Sequence, residues 1–588
     1  MTNEELAQVF DNMAALLELK GESVFKIRAY QRAVRTIEQY PQSFAQLVRE
    51  GQDLQKIPGI GEAISKKIAE AVTTGQVRAY EELKSEFPQG VLSLMNIPGV
   101  GPKTAYRLVQ ELSVGSVDAL EQAILDGRVA SLERLGEKTA ENILRQIRSL
   151  RSKDKRIPIG RALPVAEEVM AALQERCPGV RQLSPAGSLR RWRETIGDID
   201  IMGTADRAEE VIDTLVRLPM VEQVLVHGPK KASVVVSAGL QVDLRIVDAE
   251  SFGALIQYFT GSKQHNILLR DYANRMGLSL NEYGITNVKT GEQERFAREE
   301  DFYARLGLQF IPPELREGLW EVERAQQGTL PRLVEVADIK GDLHVHSEWS
   351  DGRDSLEAML SAARAMGHHY VAITDHSEGL GVARGLTPER LRQQREELRA
   401  LEQRLGITVL QGSEVDIRAD GSLDFPDEVL AELDLIVAAI HSSLNQEAQR
   451  ITERTLQAMH HPYVTILAHP TSRLLGEREP TQIDMEAVFQ AALETGTILE
   501  INASTSRMDL KDTHVLRARE LGIPLVINTD SHSAGYLQNL RFGVAIARRG
   551  WCEPQHIVNA LPREAFLRLI RAPKGERLNL WRQLQPVG

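Results

Sequence analysis

Apolar positions near the start of the chain recur at helical spacing. Leu6, Val9, Phe10, Met13, Leu16 and Leu17 fall three and four apart, so one face of a helix is apolar. Helical patterning continues to about residue 90, with Phe25-Lys26-Ile27-Arg28-Ala29-Tyr30, Arg32 and Arg35 on one predicted basic, aromatic helix. Two later stretches alternate instead. Residues 199–202 read I-D-I-M and residues 240–247 read L-Q-V-D-L-R-I-V, the period of strands with one buried face. Residues 250–318 form a small helix-rich part, and residues 314–330 read as a charged connecting helix stopped by Gly328 and Pro331. From Lys340 short apolar runs alternate with helical ones, which predicts βα units. The strand runs cover 342–346, 370–376, 408–414, 435–441, 464–469, 497–502 and 524–530.

One internal repeat carries chemistry. Ile57-Pro58-Gly59-Ile60-Gly61 precedes a helical run at 62–72, and Ile97-Pro98-Gly99-Val100-Gly101 precedes one at 102–112. Glycines allow positive φ and close approach of backbone, and N–H groups at the next helix start suit a phosphate. Two copies of this helix-hairpin-helix signature point to duplex DNA held without reading its sequence. Gly59, Gly61, Gly99 and Gly101 are the candidate contacts, with Lys66 and Lys103 on the helices that follow. Leu135-Gly136-Glu137-Lys138-Thr139-Ala140 reads as a degenerate third copy.

Composition adds bounds. At 588 residues the chain is too long for one core. Its two cysteines, Cys177 and Cys552, lie far apart, which fits a reducing cytoplasm better than a disulfide framework. The N-terminus does not read as a signal peptide, and the longest apolar run, 433–440, is broken by Asp434. No membrane partner is expected. The net charge of -12 by itself argues against nucleic acid, yet Arg145, Arg148, Arg151, Lys153, Lys155, Arg156 and Arg161 face one acid, Asp154. Such a stripe can bind phosphate on an acidic protein, and is equally a solvated helix end.

Residues 187–200 read G-S-L-R-R-W-R-E-T-I-G-D-I-D. Asp198 and Asp200 project from one strand face, and two like charges so close call for cations between them. Two divalent ions can clamp the attacking and leaving oxygens of a phosphoryl transfer. Asp243 adds a third carboxylate if the two alternating strands pair. Gly187, Ser188, Arg190 and Arg191 suit a polyphosphate. In the C-terminal part, six of seven strands end in His, Asp or Glu. Strand ends of a βα barrel meet on one face, so this concentration of ligand types predicts a metal centre.

The Gly-Ser, arginine and Gly-Asp-x-Asp series, with Asp243 and Tyr258-Phe259-Thr260-Gly261-Ser262 followed by Asn266 and Arg270, resembles the X-family DNA polymerases of the DNA polymerase beta type. The resemblance implies that Ser188, Arg191 and Gly197, beside Gly187, hold the β/γ-phosphates. It also implies that Tyr258, Phe259, Asn266 and Arg270, beside Gly261, line the nascent base pair. Asp198 and Asp200 would hold two Mg²⁺ or Mn²⁺, with Asp243 nearest the primer 3′-OH. One departure is Gln241, where the family often has a basic residue. Lys67 matches the family's Schiff-base nucleophile for 5′-deoxyribose phosphate removal, although Ala63 stands where a second lysine is frequent; the favoured reading makes Lys66 and Lys67 solvated phosphate contacts.

The series H-x-H, T-D-H, Glu, His, His and D-x-H resembles the polymerase-and-histidinol-phosphatase (PHP) domain, a distorted seven-stranded barrel holding three metals. Carried over, His344, His346, Glu414 and Asp530 would bind one; Glu414, His441 and His469 a second; and Asp351, His376 and His532 the third. Zn²⁺ or Mn²⁺ suits such imidazole-rich sites.

The expected chain is multidomain. An all-α helix-hairpin-helix part comprises a DNA-end-binding, lyase-like domain at 1–90 and a second domain at 91–156. An α+β nucleotidyltransferase palm follows at 157–249, and a nascent-base-pair domain at 250–318. A linker at 319–339 leads to an α/β barrel at 340–588. The resemblance implies a bacterial gap-filling repair polymerase, monomeric, acting on gapped or primer-template DNA and deoxynucleoside triphosphates. Its barrel would be a metal-dependent 3′→5′ exonuclease that also processes abasic or blocked ends. The rivals are a DNA end-binding scaffold with structural metals and a phosphatase of small phosphate esters.

Overall fold

The computed structural model describes residues 3–585 apart from 41–43, 96, 98, 99, 133, 134, 138, 142, 145, 146, 148–155 and 238. Two compact units divide the chain, Met1–Arg156 and Ile157–Gly588.

The first unit is helical. Asn3–Lys20, Val24–Gln39, Glu62–Thr74 and Arg78–Ser85 gather around Leu6, Phe10, Leu16, Ile37 and Ile68. The apolar stripe of the first helix is the face they bury, with Leu6 and Phe10 fully enclosed. A second core joins Val91–Met95, Pro102–Leu112 and Val117–Leu125 to Ile143 and Ile147.

The second unit begins with seven palm strands: β1 (Ile157–Pro158), β2 (Val180–Pro185), β3 (Thr195–Ile196), β4 (Ile199–Ala205), β5 (Val221–His227), β6 (Lys231–Val236) and β7 (Leu240–Val247). Five form a sheet in the order β2-β4-β7-β6-β5, while β1 and β3 pair separately. The two alternating stretches are neighbours, since β4 runs parallel to β7 with Ile199 beside Val242 and Ile201 beside Leu244. Those apolar residues face the helices Ile159–Arg176 and Ala208–Val216.

Next come helices Phe252–Thr260 and Lys263–Arg275, then β8 (Leu278–Asn281), β9 (Gly284–Asn287) and β10 (Gln293–Glu294) in one antiparallel sheet. The expected helix over 314–330 is two pieces, a 3₁₀ turn Pro313–Leu315 and a helix Glu321–Gln327. Three of its charges, Glu314, Arg316 and Glu321, are buried. Arg316 turns inward onto the Ile311 carbonyl (2.8 Å) and Glu299. Glu321 receives His265 Nδ1 (2.9 Å), and Glu314 receives Arg548 Nε (2.8 Å). Each buried charge is paired, as burial requires.

The barrel strands are β11 (Gly341–Val345), β12 (Tyr370–Ile373), β13 (Thr408–Asp416), β14 (Leu435–Ala439), β15 (Val464–Leu467), β16 (Ile498–Asn502) and β17 (Leu525–Asn528). All are parallel, in chain order, and buried throughout apart from the start of β13. A bridge from Val345 to Ser531 draws the first and last strands together into a nearly closed barrel. One apolar core runs without a break from palm helix Ile159–Arg176 to barrel residues such as Phe542 and Leu510.

Candidate active sites

In the palm, register decides the site. Asp200 on β4 stands directly opposite Asp243 on β7, and Asp198 lies two residues earlier. Gly187 (φ +57°) packs against this group; a Cβ there would fall 2.5 Å from Asp200 Oδ2. Only glycine lets the Gly-Ser turn approach a carboxylate so closely. Burial, then the charges of Asp198 and Asp243, push the Asp200 carboxyl up to about 7. Lys231 and Arg245 offset this only in part, and three convergent carboxylates are a donor set that fits divalent cations. Asp243 is fixed by Ser233 Oγ on one oxygen and by Gln241 Nε2 (2.6 Å) on the other. Gln241 thus orients the third carboxylate by a neutral hydrogen bond.

The residues expected at the nucleotide gather around the following helix. Arg191 donates from Nε to Glu317 (3.2 Å) and from Nη1 to the Thr260 carbonyl. Arg190 instead pairs with Glu299 (2.7 Å) and Thr260 Oγ1, a packing role. Ser188 and Gly197 are half-buried beside them. Tyr258 and Phe259 meet edge to face, and the Arg245 guanidinium lies 4.6 Å from the Phe259 ring centre. Asn266 ties back to the Tyr258 carbonyl (2.8 Å), and Arg270 is exposed one turn on. Gly261 (φ +65°) follows Thr260 at the helix end.

In the barrel the strand ends converge on Glu414. Its Oε2 lies 3.3 Å from His344 Nε2, 3.4 Å from His346 Nε2 and 3.1 Å from His376 Nδ1. Its Oε1 lies 3.2 Å from His441 Nε2 and 2.9 Å from His469 Nε2. Burial raises the Glu414 carboxyl, but His376, His441 and His344 outweigh it and hold the group well below the carboxylate range. Asp351 reaches His376 (3.6 Å) and His532 (3.3 Å), while Asp530 reaches His346 (3.3 Å). The donors cluster as His344, His346 and Asp530; as His376, Glu414 and His441; and as His346, Asp351, His376 and His532. His346 and His376 therefore each stand in two clusters. His344 Nε2 and both nitrogens of His346 are buried without a hydrogen-bond partner. Such orphaned ring nitrogens are costly unless metals use them, so the residues present fit a multi-metal centre.

In the helical unit both hairpins close with the same turn. Ile60 N–H donates to the Ile57 carbonyl (3.0 Å), and Val100 N–H to that of Ile97 (2.9 Å). Gly61 and Gly101 then sit at the N-caps of Glu62–Thr74 and Pro102–Leu112. Gly59 (φ +94°) packs on Thr36, where a Cβ would meet Oγ1 at 2.5 Å. Lys103 is exposed, and Lys66 is exposed but paired with Glu62 (2.7 Å). Lys67 is half-buried, its Nζ 3.4 Å from the Ala63 carbonyl. Gly99, Lys138, Arg145, Arg148, Arg151, Lys153 and Lys155 lie outside the described residues.

Four family models match: a helix-hairpin-helix domain over 1–77, a SAM-like helix-hairpin-helix tandem over 51–113 and 91–149, a DNA polymerase beta thumb over 255–317, and a PHP domain over 342–504. The chain is 40% identical over 574 residues to the DNA polymerase/3'-5' exonuclease PolX of Bacillus subtilis (strain 168), spanning 97% of this chain and 100% of that protein. The chain belongs to the PolX family. A probable phosphatase of Syntrophotalea carbinolica is 30% identical over 236 residues, 37% of this chain and 90% of its own length. Another, of Thermoanaerobacter sp. (strain X514), is 32% identical over 137 residues, 22% of this chain and 54% of its own length. No helix among the described residues is long and apolar enough to cross a membrane.

This PolX-family site also uses residues that motif reading passes over. Glu500, on β16, accepts His344 Nδ1 (2.7 Å) and the His469 backbone N–H (2.9 Å). It thereby orients two of the histidines, as carboxylates behind metal ligands do. Asp416 accepts the His441 backbone N–H (2.9 Å). Arg507 lines the same pocket, 3.4 Å from Asp530, with Nη1 buried and without a hydrogen-bond partner. Glu500 had a signal in the sequence, an acid inside the apolar run I-L-E-I-N; Arg507, on a loop, had none.

Proposed function

We propose that this chain fills short DNA gaps by extending a primer 3′ end at the palm and trims 3′ ends hydrolytically in the barrel. The observation that carries the reading is Asp200 facing Asp243 across β4 and β7, in a chain whose match to the Bacillus protein runs end to end. Asp198 and Asp200 would hold two Mg²⁺ or Mn²⁺, and Asp243 would orient the primer hydroxyl. The hydroxyl would give its proton to Asp243 as its oxygen attacks the α-phosphorus of a deoxynucleoside triphosphate; the α–β phosphoanhydride bond breaks and pyrophosphate leaves. Divalent cations there supply charge neutralisation on the phosphates. Gly187, Ser188, Arg191 and Gly197 cradle the leaving phosphates; Tyr258, Phe259, Gly261, Asn266 and Arg270 line the new base pair.

In the barrel, His344, His346, Asp351, His376, Glu414, His441, His469, Asp530 and His532 would hold three ions, Zn²⁺ or Mn²⁺. Arg507 is aimed to hold the scissile phosphate. The hairpins at Gly59, Gly61, Gly99 and Gly101, with Lys66, Lys67 and Lys103, grip the DNA backbone. Domains are assigned at 1–90, 91–156, 157–249, 250–318 and 340–588, with 319–339 between the last two. The protein acts as a monomer in the cytoplasm.

Primer extension on gapped DNA tests the reading. Asp200→Ala should end extension while shortening of the primer persists, and Glu414→Ala should do the reverse. Extension by Asp200→Ala, or undiminished shortening by Glu414→Ala, would refute the corresponding half.

A further inference from the structure

The palm loop Arg191 to Glu194 joins the Gly-Ser turn to β3, just ahead of the metal carboxylates. Within the palm its backbone is tied by Trp192 N–H to the Leu189 carbonyl (3.0 Å), Arg193 N–H to the Ser188 carbonyl (3.0 Å) and Ile159 N–H to the Glu194 carbonyl (2.9 Å). Trp192 has φ +55°, a conformation that a bulky residue keeps only when its surroundings impose it. Three further tethers come from the barrel. Trp192 packs edge to face on Phe542, with ring centres 5.7 Å apart. The Arg191 carbonyl accepts Arg549 Nη1 (2.7 Å), and Glu194 accepts Arg473 Nη2 (2.7 Å). Phe542 and Arg549 share the barrel helix Leu540–Arg549, and Arg473 follows β15.

Arg549 also reaches the side chain of Arg191 through a shared counter-ion. Glu317 Oε1 accepts Arg191 Nε (3.2 Å) and Arg549 Nη1 (2.9 Å). Asp512 balances the second charge, accepting Arg549 Nε (2.9 Å). Arg193 lies 3.9 Å from Glu317 and 4.0 Å from Asp512. Three arginines and two carboxylates thus form one network whose geometry fixes where the Arg191 guanidinium stands. With Nε on Glu317 and Nη1 on Thr260, Nη2 makes no hydrogen bond among the described residues.

We propose that the barrel completes the nucleotide site of the palm, with Arg549 and Arg473 as positioning residues that hold the Arg191 to Glu194 loop for the triphosphate. This rests on the reading of Arg191 as a triphosphate contact. The physical reason is preorganisation. A guanidinium already fixed toward the phosphates loses little freedom on binding, whereas a loosened loop must be ordered by the nucleotide.

The test is steady-state extension of gapped DNA by Arg549→Gln, and by Glu194→Gln, which cuts the loop's other tether from the palm side and leaves every barrel residue in place. Arg549→Gln should raise the deoxynucleotide KM on the order of tenfold, with kcat changed by less than about twofold, as for lost uniform binding. Glu194→Gln should raise KM by a smaller factor, and Arg549→Lys, which keeps the charge but not the fork, should fall between parent and Arg549→Gln. Exonuclease rate and barrel metal content should stay at the parent level in all three. Unchanged KM in both Arg549→Gln and Glu194→Gln overturns the proposal. Equal loss of extension and exonuclease also overturns it, because that marks general destabilisation. Asp200→Ala is assayed alongside. If it still extends, the reading of the palm itself fails, and the inference with it.

Discussion

Glu500→Gln is the most searching change to make in the barrel. The carboxylate is fully buried and accepts four hydrogen bonds. Oε1 takes His344 Nδ1 (2.7 Å) and Asn528 Nδ2 (2.9 Å); Oε2 takes the His469 N–H (2.9 Å) and Asn502 Nδ2 (3.1 Å). In the amide one oxygen becomes an NH₂. Whichever way it turns, that NH₂ faces two donors, and both lose their acceptor. Turned toward His344, it drives the ring proton from Nδ1 to Nε2, the nitrogen aimed at Glu414, and Nε2 can then no longer ligate. A buried donor left unsatisfied costs about 1–3 kcal/mol. Loss of a carboxylate behind a metal-binding histidine costs about 10–100-fold in metal affinity, or about 1.4–2.7 kcal/mol, which is the same range. The assay is a metal titration followed by both exonuclease rate and elemental analysis. Extension at Asp198, Asp200 and Asp243 serves as the internal control and should persist. If metal affinity and exonuclease in Glu500→Gln stay within about twofold of the parent, Glu500 does not support the metal centre and the reasoning is wrong.

Arg507→Met should raise the exonuclease KM roughly tenfold with bound metal unchanged; loss of metal would show that Arg507 serves only to hold Asp530. Borohydride trapping on gapped DNA with a 5′-deoxyribose phosphate should give no adduct at Lys67, because the neighbouring cation, Lys66, is drawn to Glu62. Lys67→Ala should lower the salt slope of DNA binding by about one, and an adduct that disappears in this variant would reverse the assignment. His368 is buried with both ring nitrogens unpartnered, and burial, then His369, lowers its pKa from 6.5 to about 4. Between those values the unfolded chain binds a proton that the folded chain refuses. Its contribution is therefore whole above pH 6.5 and fades as pH falls toward 4, by about 2–3 kcal/mol. Urea midpoints at pH 7 and 4.5 should diverge less in His368→Leu than in the parent; equal divergence would be the contrary result.

Local pattern made much of this protein legible. Residues 102–112 and 240–247 were bounded as the structure has them, because helix and strand periods are properties of neighbouring residues. The chemical types at the barrel strand ends were legible for the same reason, since a parallel strand must deliver its last residues to one face. Residues 314–330 were read as one helix but form a 3₁₀ turn and a short helix, because Glu314, Arg316 and Glu321 find buried partners at Arg548, Glu299 and His265. No local pattern carries that information.

What the sequence determined was therefore the inventory: the order of domains, the periods of their elements, and the acids, imidazoles and glycines that chemistry would need. The tertiary structure alone decided who meets whom. It set Asp200 against Asp243 by register, put His376 within reach of both Glu414 and Asp351, and brought Arg549 to the Arg191 carbonyl across 358 positions of chain. A hydrogen bond or a shared metal depends on distances of a few ångströms between residues remote in the chain, and those distances exist only after strand order and packing have been settled.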